Sequence, residues 1–186
     1  SKSFNNNKIN YFNNQIHSNS IVLASKLIHK KKLNADGIVS DESTHNIWIY
    51  SADCMPILFA DKVTRLVAAI HCGRKGLEKK IILNLISKME NLGSLKKNIL
   101  VAIGPCISQL NYLVDDNCLR NFYKTIFKKV NYDFHLNSNY ILKHSHNRYA
   151  IDIRGFAFQQ LVENEINPEN IDISNICTFK LKDQFY

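Results

Sequence analysis

Two histidines and one cysteine are the residues of this chain best suited to chemistry. His17, Cys54 and His71 each lie close to an apolar run that we expect to form a strand. If the ends of those strands meet, two imidazoles and a thiolate converge on one pocket. A catalytic zinc ion typically uses three protein ligands of these types and keeps its fourth position for water. The pattern therefore predicts an open zinc site and an enzyme.

Each of these residues also has a purely structural interpretation. A lone cysteine is usually a small buried apolar residue, and lone histidines near strands are commonly surface or core residues. The separations between His17, Cys54 and His71 match no local zinc motif. Asp53 is a candidate for proton transfer beside Cys54, or else a turn residue at a strand end. Because Pro56 lacks a backbone donor, we expect the strand ladder to break beside Cys54 and to expose its thiol.

A second candidate feature is the turn that follows His71. It contains Gly73, Arg74 and Lys75 and leads directly into a predicted helix. Glycine permits close approach of a ligand to the backbone, and free amides at a helix start attract anions. We predict that Gly73, Arg74 and Lys75 bind phosphate or the phosphate-like end of a substrate. The alternative is a tight strand-to-helix connection that needs glycine for its geometry.

Composition indicates one catalytic domain over residues 1–186. The chain has 186 residues, 45% of them hydrophobic, which is enough for one substantial core. The 24 Lys and Arg residues exceed the 16 Asp and Glu residues, giving a net charge of +8. The lysines are spread along the chain, and residues 30–32 form the only basic run of three, so a dedicated nucleic-acid surface is disfavoured.

The cysteines and the apolar runs indicate a cellular location. The five cysteines are scattered, odd in number and lack a CxxC pair, as expected in a reducing compartment. No apolar stretch approaches the roughly 20 residues that span a bilayer, and the N-terminus does not resemble a signal peptide. We expect a soluble cytoplasmic protein that has no membrane partner.

Apolar patterning predicts the elements that position these residues. Runs rich in β-branched residues predict six strands, at residues 21–24, 47–50, 57–60, 66–70, 99–103 and 171–176. Periodicity predicts one helix over residues 77–92 that stops at Gly93, another after Asp115 and Asp116, and a third over residues 152–161. Strands joined by short links and mixed with helices favour an α+β fold with a mixed sheet.

Six short motifs give the chain a family resemblance. They are Gln-Ile-His at 15–17, Ala-Asp-Gly-Ile-Val-Ser-Asp at 35–41, Ser-Ala-Asp-Cys-Met-Pro-Ile-Leu at 51–58, Ala-Ile-His-Cys-Gly at 69–73, Ala-Ile-Gly-Pro-Cys-Ile at 102–107 and Ile-Cys-Thr at 176–178. Their order and approximate spacing resemble a family formerly called multicopper polyphenol oxidoreductase or laccase. That family is now described as purine nucleoside phosphorylase and adenosine deaminase, and it includes the bacterial peptidoglycan editing factor. The resemblance extends from about Gln15 to the C-terminus.

The resemblance implies a fold, a site and an activity. The fold is a single-domain layered α/β sandwich with mixed β-sheets. The metal or catalytic trio of the family falls on His17, Cys54 and His71. The implied reactions are phosphorolysis of purine nucleosides (adenosine, inosine, guanosine and methylthioadenosine) and deamination of adenosine. An open zinc site suits deamination because it activates water, and Asp53 would handle protons. Copper is a second candidate metal, disfavoured because a multicopper oxidase needs many more histidines.

The chain departs from the family pattern in two ways. After the second histidine the family usually reads Ala-Gly-Trp-Arg-Gly, whereas residues 72–76 read Cys-Gly-Arg-Lys-Gly. Lys75 thus replaces an arginine with a point cation that lacks the bidentate fork, which predicts weaker phosphate binding. Relatives also carry an additional N-terminal segment and an Arg-rich motif after the final aromatic residues, so we expect the domain to lack both.

Four other interpretations remain open from the sequence. A metal-free hydrolase would use Cys54 as nucleophile and His71 as base, and a peptidoglycan editing factor that removes a wrong amino acid from a muropeptide precursor would have a similar pattern. A basic nucleic-acid-binding module and a degenerate homologue without catalysis are the other two. The sequence makes no prediction of oligomeric state.

Overall fold

A six-stranded mixed sheet forms the centre of the molecule. The computed structural model describes residues 8–27, 32–126 and 139–185. Across the sheet the strands are β11 (Ile171–Ile173), β7 (Ile99–Ile103), β5 (Met55–Asp61), β6 (Val67–Cys72), β3 (Gly37–Ser40) and β2 (Ile21–Leu23). The two outermost pairs are parallel and the inner pairs are antiparallel. The predicted mixed sheet is confirmed.

Two smaller sheets flank the central one. Strands β1 (Ile9–Phe12) and β4 (His45–Trp48) form a parallel pair. Strands β8 (Leu113–Asp115), β10 (Arg148–Ile151) and β9 (Ile141–Ser145) form an antiparallel sheet in that order. Of these five strands, the sequence patterns predicted only the position of β4, because the others are short or rich in polar residues.

Helices cover one face of the central sheet and complete the layered α+β fold. They are α1 (Arg74–Glu78), α2 (Ile81–Glu90), α3 (Asp116–Ile126), α4 (Ile153–Glu163) and α5 (Lys182–Phe185), with 3-10 turns at Ala24–Lys26, Lys96–Asn98, Gln109–Asn111 and Pro168–Asn170. The main core joins buried side chains of β5, β6 and β7 to those of α1 through α4. Asp115 accepts the amide of Cys118, and Asp152 accepts that of Arg154, so both predicted helix starts are confirmed.

The prediction of one continuous helix over residues 77–92 is wrong. Lys80 adopts left-handed backbone angles, φ 60° and ψ 43°, and separates α1 from α2. Lysine favours helix, so its sequence gives no warning of the break. Leu77 and Ile81 are nevertheless both buried in the same core, which explains why the apolar pattern reads as uninterrupted. The predicted stop is confirmed, because Gly93 has φ 97° and the Ser94 amide donates to Met89.

The opposite face of the central sheet carries exposed apolar side chains. Along β5, Met55, Ile57 and Phe59 are buried whereas Leu58 is 54% exposed. Val67 of β6 and Leu100 of β7 both pair with Ala60, and they are 40% and 41% exposed. These side chains line a groove of about 410 Å³, which we call the far-face groove.

Two further predictions concerned membrane-spanning helices and a basic surface for nucleic acid. In the part of the chain that the structure describes, no helix combines the length and the apolar character needed to cross a bilayer. The basic run at residues 30–32 falls mostly outside the described residues. Lys32, its last member, lies over the Phe12 ring with its Nζ 4.4 Å from the ring centroid, which is a local cation–π contact.

Candidate metal and catalytic site

His17, Cys54 and His71 come together at one end of the central sheet. Their ligand atoms all lie within 4.8 Å of one another. The two imidazole rings meet edge to face with centroids 4.9 Å apart. Zinc bond lengths of roughly 2.0–2.3 Å place the ligand atoms of a tetrahedral site about 3.3–3.6 Å apart, so small side-chain rotations would complete the set. The predicted trio can hold a metal ion.

The three residues reach this point from different elements. His71 is the penultimate residue of β6 and is buried, whereas Cys54 immediately precedes β5 and is half-buried. Pairing of Pro56 with His71 sets the register that brings the start of β5 to the end of β6. The ladder begins at Met55, directly after Cys54, and continues through Pro56 without a register shift, so the break predicted from Pro56 is wrong. His17 differs from its prediction: it lies in the loop between β1 and β2, with φ 55°.

One buried carboxylate positions both histidines. Asp36, fully buried before β3, accepts a hydrogen bond from Nδ1 of His71 at 2.9 Å. Its oxygens also accept the amides of Ile16, His17 and Ser18 at 3.2, 3.0 and 2.6 Å, and the Ser18 hydroxyl at 2.6 Å. A histidine that donates from Nδ1 to a carboxylate presents Nε2 to a metal. Asp36 therefore orients one ligand and fixes the loop of another.

The charge state of Asp36 suits this role. Burial acts to raise the pKa of the Asp36 carboxyl, but hydrogen bonds from Ser18, His71 and Ile16 outweigh burial and hold that pKa below its ordinary value. Asp36 is consequently ionised at neutral pH. An ionised carboxylate beside Nδ1 fixes the tautomer and the ring orientation of His71 as a ligand.

The other two ligand side chains, His17 and Cys54, are uncharged at neutral pH. Burial, assisted by the nearby His71, lowers the pKa of His17, so its imidazole is neutral at pH 7 and ready to act as a ligand. Burial, together with Asp53 and Asp36, raises the pKa of the Cys54 thiol. A thiol in these surroundings ionises when a cation binds beside it. The donor set thus fits a divalent metal ion.

Asp53 lies beside Cys54 in a left-handed turn with φ 67°. Its Oδ1 accepts the Thr178 hydroxyl at 2.6 Å, and its backbone carbonyl accepts the Ile107 amide at 2.9 Å. These contacts attach the Cys54 turn to two distant segments of the chain. They give Asp53 a positioning function, and its predicted part in proton transfer stays a prediction.

The turn predicted to bind an anion has three different environments. The guanidinium of Arg74 bonds the Glu78 carboxylate and the Tyr112 hydroxyl. Burial acts to lower the pKa of Arg74, but Glu78, Cys118 and Tyr112 together outweigh burial and the pKa is raised. Lys75 is exposed. Gly73 is buried, and a Cβ added to it would lie 2.4 Å from Sγ of Cys54. Gly73 is therefore needed for close packing on the thiol, and phosphate binding by this turn stays a prediction.

Sequence reasoning missed two residues that position the site. Asp36 lies within one of the six motifs, and a lone carboxylate directly before a strand of buried residues was an available signal. Lys79 donates from Nζ to the His17 carbonyl at 2.7 Å, and its own carbonyl accepts the Asn19 side chain at 2.8 Å. The break at Lys80 makes this contact with the His17 loop possible, and no sequence pattern indicates it.

Solved structures confirm the fold. Protein NMB0706 of Neisseria meningitidis superimposes with a TM-score of 0.79 at 23% identity, over 95% of this chain and 67% of that one. YlmD of Geobacillus stearothermophilus superimposes with a TM-score of 0.78 at 23% identity, over 91% and 63%. At this identity the likeness establishes a shared α+β architecture alone.

Curated relatives are similar to the chain at higher identity. A purine nucleoside phosphorylase of Rickettsia prowazekii is 35% identical over 165 residues, which cover 88% of this chain and 62% of the relative. One of Synechocystis sp. is 32% identical over 163 residues, covering 82% and 61%. The chain thus spans about three fifths of the length of these relatives. A family model described as multi-copper polyphenol oxidoreductase laccase matches residues 2–186, and the chain belongs to that family.

Proposed function

We propose that this chain is the metal-dependent catalytic part of a purine nucleoside phosphorylase. It would cleave the N-glycosidic bond of adenosine, inosine, guanosine or methylthioadenosine with phosphate, releasing the base and ribose 1-phosphate, or 5-methylthioribose 1-phosphate from methylthioadenosine. The observation that carries the proposal is the convergence of His17, Cys54 and His71 within 4.8 Å. It is supported by relatives at 32% and 35% identity that are named purine nucleoside phosphorylases.

Zinc is the metal that we propose for the site. Two imidazoles and one thiolate form a donor set typical of catalytic zinc, and zinc supplies Lewis acidity and activates water. Copper also binds such ligands, but the chemistry of a multicopper oxidase requires many more histidines than the described residues bring to this cluster. Asp36 holds His71 with Nε2 directed to the cluster, and Lys79 and Asp36 together hold the loop of His17.

Substrate contacts come from the two turns beside the cluster. Because Arg74 is already paired with Glu78, we propose that exposed Lys75 contacts the anionic end of the substrate, next to the amides that follow Gly73. We assign Asp53 to proton transfer in a second reaction, deamination of adenosine. Thr178 would hold one oxygen of that carboxylate while the reaction proceeds.

A metal-free hydrolase is the second candidate function, and one observation favours it. Asp36, His71 and Cys54 follow one another in the order of a carboxylate, an imidazole and a nucleophile. The electrostatics oppose it, because a nucleophilic cysteine needs a lowered pKa and burial raises that of Cys54. Removal of an amino acid from a muropeptide precursor would belong to this class.

A nucleoside assay combined with metal analysis separates the two functions. Protein purified without added metal is analysed for zinc and copper, then incubated with adenosine, inosine, guanosine and methylthioadenosine, with and without phosphate. Chromatography should show free base and ribose 1-phosphate only when phosphate and metal are both present. Activity that survives complete chelation and is abolished by thiol alkylation would identify the hydrolase instead. Absence of any nucleoside product from zinc-loaded protein would contradict the phosphorylase.

A further inference from the structure

A pocket of about 480 Å³ lies outside the His17, Cys54 and His71 cluster. Four separate segments build it: the first turn of α4, the connection after β7, the residues before β9 and those after β11. The side chains that matter here are Arg154, Phe158, Ser108, Gln109, Tyr140 and Asn175. Convergence of four segments around one concave space is typical of a ligand site.

Arg154 is the charged group in this pocket whose pairing is incomplete. Its guanidinium is half-buried and donates from Nη1 to the carbonyl of Ser174 at 2.5 Å. In the described parts of the chain, no carboxylate lies within ion-pair distance of it. Arg74 and Arg120, by contrast, pair with Glu78 and Asp116. A half-buried guanidinium with only a neutral carbonyl partner retains most of its capacity for an anion.

The nearest carboxylate in the pocket has another function. Asp152 caps α4, and its Oδ1 accepts the backbone amide of Arg154 at 3.1 Å. The positive end of the α4 dipole offsets its charge. Asp152 therefore stabilises the helix start and does not neutralise the Arg154 guanidinium.

The rest of the pocket suits a small polar ligand. Phe158 is four residues after Arg154, so both lie on the same face of α4. The Tyr140 ring packs directly on Gly155, where an added Cβ would lie 2.3 Å from Cδ1 of Tyr140. Ser108, Gln109 and Asn175 contribute neutral hydrogen-bonding groups. Aromatic walls around one cation and neutral donors provide both enclosure and specificity.

We propose that this pocket binds a phosphate-type oxyanion through the guanidinium of Arg154. The planar fork of arginine matches two oxygens of such an anion, which a point cation does not. The identification of the anion as inorganic phosphate, or as the phosphate of ribose 1-phosphate, rests on the proposed function. A hydrogen bond links the pocket to the metal cluster. Ile107, the residue before Ser108, donates its amide to the carbonyl of Asp53, which precedes Cys54.

Direct binding measurements test the pocket separately from catalysis. Calorimetric titration with inorganic phosphate is made on protein carrying Lys75→Ala, so that phosphate held by the turn at residues 73–75 is not counted. Adding Arg154→Gln should weaken phosphate binding about tenfold or more, the size expected for losing charge-assisted hydrogen bonds. Arg148→Gln, which removes an exposed arginine of β10, is the matched control and should leave affinity unchanged.

A second variant removes the risk that Arg154→Gln disturbs folding. Asn175 is exposed and lines the pocket, and Asn175→Asp adds a carboxylate of the same size without touching the bond from Arg154 to Ser174. It should weaken phosphate binding to a similar degree, with an unchanged thermal midpoint. Unchanged affinity in Asn175→Asp and in folded Arg154→Gln would overturn the pocket.

Parallel titrations identify the source of the anion. Tighter binding of ribose 1-phosphate than of inorganic phosphate would place the sugar phosphate there, and the reverse order would place free phosphate. Phosphate binding that depends on Arg154 in a protein that cleaves no nucleoside would support the pocket and contradict the proposed function. Nucleoside cleavage in which the affinity for phosphate does not change when Arg154 is replaced would support the proposed function and contradict the pocket.

Discussion

Asp36 and His71 form a 2.9 Å hydrogen bond between Oδ1 and Nδ1 that sets the direction of the imidazole. The same carboxylate accepts the amides of residues 16–18. Orientation of His71 and closure of the His17 loop are therefore two results of one buried charge. The imidazole of His71 is therefore held by more than its own strand, and that of His17 by a loop that the same carboxylate closes.

Replacing Asp36 should weaken metal binding without removing any ligand. Asp36→Asn keeps the shape but loses the charge and part of the accepting capacity, and loss of such an outer partner typically costs 10–100-fold in metal affinity. Competition with a chromophoric chelator measures the change. Asp41→Asn is the control, because Asp41 is exposed and accepts only the Ser25 hydroxyl among the hydrogen bonds resolved here. Equal affinities in wild type and Asp36→Asn would refute the shared role.

Cys54 should be essential for metal stoichiometry. We expect one zinc ion per wild-type chain and almost none in Cys54→Ala, because two imidazoles alone bind zinc weakly. Elemental analysis after extensive dialysis gives the ratio. Cys118→Ala, which replaces a half-buried cysteine of α3, should retain full zinc occupancy. A zinc content in Cys54→Ala that equals that of the control would show that the ligands lie elsewhere.

Two neighbouring glycines allow a steric test of the site. Gly73→Ala would place a Cβ 2.4 Å from Sγ of Cys54, so the thiol must move and metal affinity should fall by about tenfold or more. In Gly76→Ala the nearest contact is 3.3 Å, to Cγ2 of Ile81, so the neighbour must give by only a few tenths of an ångström. Gly76→Ala should therefore bind metal nearly as well as wild type. Similar losses in both variants would point to a general disturbance of α1 rather than to the thiol.

Asp61 should make folding stability sensitive to acid. Burial acts to raise the pKa of its carboxyl, but the amides of Thr64 and Val63, which donate to it at 2.9 and 2.7 Å, outweigh burial and lower that pKa. A carboxyl whose pKa is lower in the folded state contributes stability above its ordinary pKa of 3.8. That contribution is lost as the pH falls through the folded-state value.

The measurement compares wild type with Asp61→Asn by urea unfolding at pH 7, 5 and 3. The wild-type advantage should be about 2 kcal/mol at pH 7, as expected for hydrogen bonds to a charged group, and similar at pH 5. It should shrink towards pH 3. An advantage that stays constant with pH would assign the effect of Asp61 to packing.

Sequence patterns located the site because its ligands adjoin strongly apolar strands. The run at residues 99–103 coincides with β7, and the predicted cysteine and second histidine lie at the paired ends of β5 and β6. Alternation of buried and less buried residues is strong in β5 and β7, since one face meets the helices. His17 was also expected beside a strand, but it lies in a loop, and the family motifs support its place in the trio independently of the strand pattern.

The features that sequence reasoning missed depend on tertiary contacts. Gly37–Ser40 is buried throughout, so β3 shows no alternation. Strand β9 is exposed after its first residue and resembles a polar loop in sequence. Lys80 adopts left-handed backbone angles although lysine favours the α-helix. The residue before it, Lys79, donates a hydrogen bond to the His17 loop. An Arg and a Glu four residues apart occur on many surface helices. The sequence therefore did not indicate that Glu78 would pair with Arg74, the residue predicted to bind an anion.

The far-face groove affects how solutions of this chain behave. Leu58, Val67 and Leu100 present a continuous apolar strip to solvent, and strips of this kind promote association between molecules at high concentration. The apparent molar mass from light scattering should then rise with protein concentration. The apparent number of ligands bound per chain would fall wherever association covers part of the protein. Titrations of metal and phosphate are therefore best made on dilute samples, with Leu58→Lys as a variant that disperses the chain.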